Sequence, residues 1–434
     1  MYRLFSVEHS IFSAKVRSYL RFKHDQGDLG EGFQDILATP ELINGLLTKR
    51  SGSPSLPQMA APDGSWIQDS SEIIDYCEEA HTKTSVVPQT PKQRLAVYLV
   101  ELLADEWLVV PACWERWFYS KPAQRPNHRA FNEQQWGSFL APGRNGAARR
   151  SAGAQFFDKA FGINDTDKDL KGPYAGLIQL GCNQDTQEAW QACLDRLLSL
   201  LETHLQSHDY LLGGCPSLAD FSLLGPIYVH FFRDPVPGFD LRTQYPLVAE
   251  WVERTNAENC LNARRYGHKY YGLDANGELE ERQVLSDGGA WLEADEVPET
   301  LEPILAMFFN EMWPYLKTSI DALKIHLSSD GHSPGDELPR KTFTATPGFE
   351  ALQTGDGPLT VPFVIGGIPS RRMVVPYQIW MLQRLDAAMT NPAEGQLEPW
   401  LNRFNGGKEL LSLKARLRSC TIEKRGGLLF SESA

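Results

Sequence analysis

Cysteine is scarce in this chain and never paired. Its seven copies, at positions 77, 113, 182, 193, 215, 260 and 420, are odd in number, widely scattered and form no C-x-x-C step. That pattern argues against a disulfide framework and against a structural zinc site, so no metal is expected. Long apolar runs are missing too. The longest candidate, Leu95–Trp114, is interrupted by Glu101, Asp105, Glu106 and Pro111, short of the ~20 residues that a membrane-spanning helix needs. The opening residues, MYRLFSVEHSIF, carry no basic segment leading into an apolar one, so no secretory signal is expected. Basic charge is in deficit, with 42 Lys and Arg against 55 Asp and Glu, a net charge of −13. Such a surface repels phosphate backbones. The resulting expectation is a cytoplasmic protein with neither nucleic acid nor membrane among its partners.

Apolar residue types are not lacking: they make up 42% of the chain, and the glycines bring the share to about half, which excludes disorder as the dominant state. At 434 residues the chain exceeds one ordinary core of roughly 100–200 residues. Three regions are expected. Residues 1–85 mix periods: a strand at Tyr2–Val7, a helix from Ser10 to Lys23, a short extended run at Leu56–Met59, a turn at Asp63-Gly64, a strand at Trp66-Ile67 and a helix over Ser70–Glu79. This series reads as a small α/β module. Residues 86–264 read as an all-helical domain with a break expected at Pro111, although 121–185 are so rich in Pro, Gly, Asn and Arg that only short helical pieces are expected there. Residues 265–434 read as an α+β extension. It should hold a helix over Pro298–Leu327 kinked at Pro314, strands at 342–344, 361–365 and 373–375, and a helix over Pro376–Met389.

The segment with most chemical content follows the first strand: Ser10-Ile11-Phe12-Ser13-Ala14-Lys15-Val16-Arg17. It sets a hydroxyl where a helix begins, and there unsatisfied N–H groups and the helix dipole favour an anion. Ser10 or Ser13 as a plain helix cap is the alternative. Other features are weaker. His204 and His208 stand at i, i+4 without a third ligand and read as a polar helix face. Trp107, Trp114, Trp117, Phe118 and Tyr119 are either the wall of an apolar pocket or ordinary core. Lys414, Arg416, Arg418, Lys424 and Arg425 read as a solvated basic face.

Taken in order, the first strand, the S-x-x-S-A-K-V-R helix start, the Leu56-Pro57 step and Gly64-Ser65-Trp66-Ile67-Gln68-Asp69-Ser70-Ser71-Glu72-Ile73-Ile74 resemble the thioredoxin-like domain of cytosolic glutathione transferases. Leu211-Leu212-Gly213-Gly214-Cys215-Pro216-Ser217-Leu218-Ala219-Asp220 and Tyr245-Pro246…Trp251 resemble the later signature of that family's helical domain. Ser217 and Asp220 would there form a capping box, as their spacing suggests on its own. The resemblance spans about residues 1–260 and leaves 265–434 unaccounted for. It implies an α/β thioredoxin-like domain plus an all-α glutathione-transferase helical domain, followed by the α+β C-terminal extension.

In that family the first helix opens with a catalytic Ser or Cys, a cis proline binds the glutathione backbone, and an acid-Ser pair holds the γ-glutamyl end. Matched motif by motif, the resemblance implies Ser10 as the catalytic group and Leu56, Pro57, Asp69 and Ser70 as glutathione-binding residues. Glutathione is then the co-substrate, a small apolar electrophile the second substrate, and a homodimer the assembly. A serine cannot form a mixed disulfide, so the expected chemistry is activation of the thiol for transfer or thiolytic cleavage, not thiol exchange. The alternative is a catalytically silent binding or scaffold protein that keeps the fold.

Overall fold

Strand β1 (Tyr2–Ser6) sits inside a sheet and is buried at every position but Arg3. In this computed structural model the described residues are 1–121, 126–161, 173–256, 269–283, 289–338, 359–389 and 394–432. After β1 come α1 (Ile11–Asp25), β2 (Phe33–Leu37), and a helical turn in which α2 (Pro40–Leu42) runs through a π-helical stretch, Ile43–Leu47, into α3 (Thr48–Ser51). Then follow β3 (Gln58–Ala60), β4 (Trp66–Gln68) and α4 (Ser70–Ala80). The four strands form one sheet in the order β2-β1-β3-β4, with β2 parallel to β1 and the other pairings antiparallel. Gly64, at φ 92°, closes the β3–β4 hairpin at the expected Asp63-Gly64 turn. The sequence reading missed β2. It is an edge strand with no fully buried residue, and it directly follows positive-φ glycines 30 and 32, so its pattern resembles a loop.

The second unit is helical: α5 (Pro91–Glu106), α6 (Val109–Tyr119), α7 (Pro126–Leu140), α8 (Gly146–Phe161), α9 (Pro173–Gln179), α10 (Gln187–His204), α11 (Leu218–Pro226) leading into a π-helical stretch Ile227–Phe232, α12 (Pro235–Gln244) and α13 (Pro246–Asn256). The break between α5 and α6 falls at Trp107-Leu108 and not at Pro111, which sits in the first turn of α6 where its missing N–H costs nothing. The expectation of only short helical pieces in 121–185 was wrong. Helices α7 and α8 are 15 and 16 residues long. Their glycines are crossing points: a Cβ on Gly137 would lie 1.8 Å from the Arg149 carbonyl oxygen, and one on Gly153 would lie 1.7 Å from that of Glu133. The two backbones touch where a sequence reader sees helix breakers.

The extension holds a hairpin of β5 (Lys269–Leu273) and β6 (Leu279–Gln283), then α14 (Glu302–Met307), a π-helical stretch Phe308–Met312, and α15 (Trp313–Leu327). The expected irregularity near Pro314 is that π stretch, which ends just before the proline. Next are β7 (Glu337–Leu338), β8 (Thr360–Ile365), β9 (Ile368–Met373) and α16 (Pro376–Met389), whose bounds match the sequence reading. Then come α17 (Glu394–Leu401), a 3-10 turn Gly407–Ser412, α18 (Leu413–Leu417), β10 (Ile422–Arg425) and β11 (Leu428–Ser431). Positive-φ Gly366 and Gly367 turn the β8–β9 hairpin. The strand expected at 342–344 lies outside the described residues, and Val374-Val375 form the link into α16.

These pieces are sewn onto the first two units. The Asp295 carboxylate accepts from the N–H groups of Lys92 (3.0 Å) and Gln93 (3.0 Å), capping α5, whose own Thr90 makes no capping bond. Arg372, fully buried, lies 4.8 Å from the Trp107 ring and 4.9 Å from the Tyr315 ring and donates to the Glu106 carbonyl. Trp107, beside Arg372, and Trp117, packed on Trp136 and Phe157, are both core residues.

Candidate functional site

Strand register brings the sequence-predicted residues to one end of the first sheet. Phe5 pairs with Gln58, and Gln58 with Gln68. The loop after β1, the Leu56-Pro57 step before β3 and the Asp69-Ser70 step after β4 therefore share an edge. The Leu56–Pro57 peptide is cis, and the Asp69 N–H points to the Pro57 carbonyl at 3.4 Å.

Ser10 is the N-cap of α1: its Oγ accepts from the Ser13 N–H at 3.3 Å. Capping uses a lone pair of the oxygen and leaves the O–H free to donate, so a cap and an anion-binding hydroxyl are compatible roles. No acidic side chain occupies the first turn of α1, and Lys23 and His24 occupy its last. The positive end of the helix dipole lies at Ser10, and no carboxylate of the first turn offsets it. Ser13 is fully buried, its Oγ accepting from the Val7 N–H at 3.4 Å, which marks it as structural. Beside Ser10, the His9 ring lies 4.4 Å from Trp136 and 5.5 Å from Phe139, both on α7. Burial, with Arg116, Arg233 and Arg17 adding to it, pushes the His9 imidazole well below its ordinary value and keeps it neutral.

Asp69 caps α4 in an unusual conformation. Its φ is 109°, in the region that favours glycine, and its Oδ1 accepts from the Ser71 N–H at 2.9 Å. Its Oδ2 accepts from the Tyr377 hydroxyl at 2.8 Å. Ser70, buried, opens the helix. Behind this corner lies a buried charge cluster. Lys15 Nζ stands 2.7 Å from both Glu101 and Asp105, Ser71 Oγ donates to Glu101 at 2.7 Å, and Arg384 reaches Glu101 and Asp75 at 2.7 Å each. Burial would raise the Glu101 carboxyl, but Arg384 and Lys15 overcome it and hold it down at about 2.

Sequence reasoning missed Tyr377, Arg384 and Lys424. The Lys424 side chain is not a solvated tail charge: it is 3% exposed, paired with Glu72 at 2.5 Å and bonded to the Gln68 carbonyl at 2.9 Å. No local signal could have found contacts that join residues 308 positions apart. His204 is a satisfied core histidine, its ring nitrogens bonded to Thr300 Oγ1 (2.8 Å) and the Tyr210 carbonyl (3.1 Å). The capping box forms as expected, Asp220 accepting from both the Ser217 N–H and hydroxyl at 2.9 Å.

A thioredoxin-like sheet with its candidate residues at one edge, followed by an all-helical unit, is the glutathione transferase fold. Residues 184–254, from α10 to α13, match the family described as glutathione S-transferase, C-terminal domain. Among solved structures the chain is similar to a glutathione S-transferase from Rhodospirillum rubrum F11, at 15% identity over 60% of this chain and 89% of that one, TM-score 0.36. A glutathione transferase family member from Pseudomonas fluorescens Pf-5, solved with bound glutathione, is 18% identical over 62% and 98%, TM-score 0.34. The beta-etherase LigF from Sphingobium sp. strain SYK-6 is 17% identical over 59% and 95%, TM-score 0.40. No curated protein matches the chain. Among the described residues, no helix is long and apolar enough to cross a membrane.

Proposed function

We propose that this protein binds glutathione at the edge formed by Ser10, Leu56-Pro57 and Asp69-Ser70, and that Ser10 activates its thiol. The observation that carries the reading is the Ser10 hydroxyl at the acid-free N-terminus of α1, half-buried and with its O–H available. A thiol of pKa about 8.5 is mostly protonated at neutral pH. A donated hydrogen bond plus a helix N-terminus favours the thiolate, and two units of lowering correspond to about 2.7 kcal/mol. At the other end of the tripeptide, Asp69 suits the α-ammonium, and the Ser70 hydroxyl at the start of α4 suits the α-carboxylate. The thiolate sulfur then bonds to the electrophilic carbon of a small apolar substrate as the leaving group departs with the carbon's former bonding pair. The location proposed is the cytoplasm. A homodimer would have to avoid the α4–α5 face, which the extension covers through Arg384.

Ser10→Gly tests the mechanism, because glycine is a tolerated N-cap that costs only a few tenths of a kcal/mol. Glutathione-dependent turnover of a generic aryl halide should fall about tenfold or more while the melting temperature barely moves. Undiminished turnover by the folded variant would overturn the assignment of Ser10. A silent binding protein that keeps the fold is the second reading. It predicts retention on immobilised glutathione with no turnover by the wild type.

A further inference from the structure

The corner assigned above to the γ-glutamyl end is not built from the first unit alone. Tyr377, in the first turn of α16, is 7% exposed and donates its hydroxyl to Asp69 Oδ2 at 2.8 Å. The β10–β11 hairpin closes the same corner from another side. At its tip the Gly427 N–H donates to the Ser51 carbonyl at 2.7 Å, and a Cβ on Gly427 would lie 2.1 Å from that of Ser53. Lys424, from the same hairpin, holds Gln68 and Glu72, the residues on either side of Asp69-Ser70-Ser71. Two separate elements of the extension thus fasten onto the few residues that precede Pro57 and surround Asp69.

We infer that the extension completes the glutathione site and that Tyr377 is a positioning residue for Asp69. This inference rests on the reading of the site given under the proposed function. Asp69 stands at φ 109°, a strained conformation that persists only where its surroundings over-determine it. The backbone alone fixes one carboxylate oxygen, through the Ser71 N–H. Tyr377 fixes the other. Each carboxylate oxygen has two lone-pair directions, so the phenol leaves room for an ammonium and sets where that ammonium is met. Burial, with Asp69 beside it, pushes the Tyr377 hydroxyl well above its usual range, and it stays a donor at every physiological pH.

The test is calorimetric, on the full chain, with two probes: glutathione, and its analogue glutaryl-cysteinylglycine, which lacks only the α-ammonium. Tyr377→Phe removes the hydroxyl and keeps the ring, so the fold should survive. The expected result is glutathione affinity about 3- to 10-fold weaker, the range of one ordinary hydrogen bond, with affinity for the deamino analogue unchanged. Equal weakening of both probes would make Tyr377 a packing residue and overturn the inference. Unchanged or tighter glutathione binding would do the same, the tighter result meaning that the phenol blocks the site. A wild-type protein that binds neither probe would instead remove the proposed function, and the inference with it.

Discussion

The first sheet and the strands of the extension solve the same problem in opposite ways. Residues 2–68 gather four strands into a single sheet whose middle strand is buried, and α1 and α4 pack against it. Among the described residues the extension divides its strands into two hairpins and one small three-stranded sheet, which do not join. Small separate sheets cannot enclose a core. The apolar face of α16 is nonetheless covered by α5, and α15 packs on β8, α16 and the π-helical stretch before it, which itself reaches α5. Through α14, the π-helical stretch, α16 and α17 the extension forms a layer on α5. Its sequence is apolar enough to fold, but the partner for those faces is elsewhere in the same chain.

Cutting the chain gives the largest expected effect. Residues 265–434 expressed alone should aggregate, since they leave behind the surface that covers their helices. Residues 1–264 should melt well below the full chain. A soluble 265–434 fragment with a cooperative melt would break the comparison outright.

Next is a side chain that crosses the junction to pair with carboxylates on α4 and α5. Arg384→Met takes the guanidinium from the fully buried Glu101 and the partly exposed Asp75, while Lys15 and Ser71 still hold Glu101; the expected loss at neutral pH is about 3 kcal/mol, the low end for a broken buried pair. Acid should narrow the deficit. In the wild type Glu101 is held at about 2, below its unfolded value; its contribution is present above the ordinary glutamate range and disappears as pH falls through 2. Denaturant melts of both proteins from pH 7 to pH 3 would show the gap closing. A constant gap would mean that Arg384 acts through packing.

The smallest effect concerns Glu115 on α6, a buried glutamate that the extension's arginine does not reach. Burial, with Asp195, Asp240 and Asp234 nearby, pushes it up to about 8, although a Gln191 hydrogen bond pulls the other way. The folded state therefore holds a proton that the unfolded state releases. Stability from this group is whole below the ordinary glutamate range and is lost as pH rises to about 8. Glu115→Gln should flatten the decline in stability between pH 5 and pH 9 and should be the more stable protein above pH 8. Parallel pH profiles would sink that assignment.

The same division explains what could be read from the sequence. Ser10, Leu56-Pro57 and Asp69-Ser70 stood out because each is a local device, a cap or a turn beside a strand end, and local devices leave local patterns. The helix Pro376–Met389 was visible for the same reason, through its proline start and apolar spacing. Gly137 and Gly153 misled because a close helix crossing and a loop call for the same residue, and only the partner helix distinguishes them. Lys424 misled because charges in a tail read as solvated until a carboxylate from residue 72 is brought beside them. Tyr377 carried no signal at all, since a half-polar aromatic at the start of an amphipathic helix is ordinary until its hydroxyl meets Asp69.

The cap on α5 also sets an order of events in the cell. Asp295 follows Lys92 by 203 positions, and at about 5–20 residues per second a ribosome needs about 10–40 s to reach it. Throughout that interval the first turn of α5 has emerged without the carboxylate that finishes it. The thioredoxin-like and helical units thus wait for a residue that belongs to neither, and the first turn of α5 is finished only once synthesis has passed position 295.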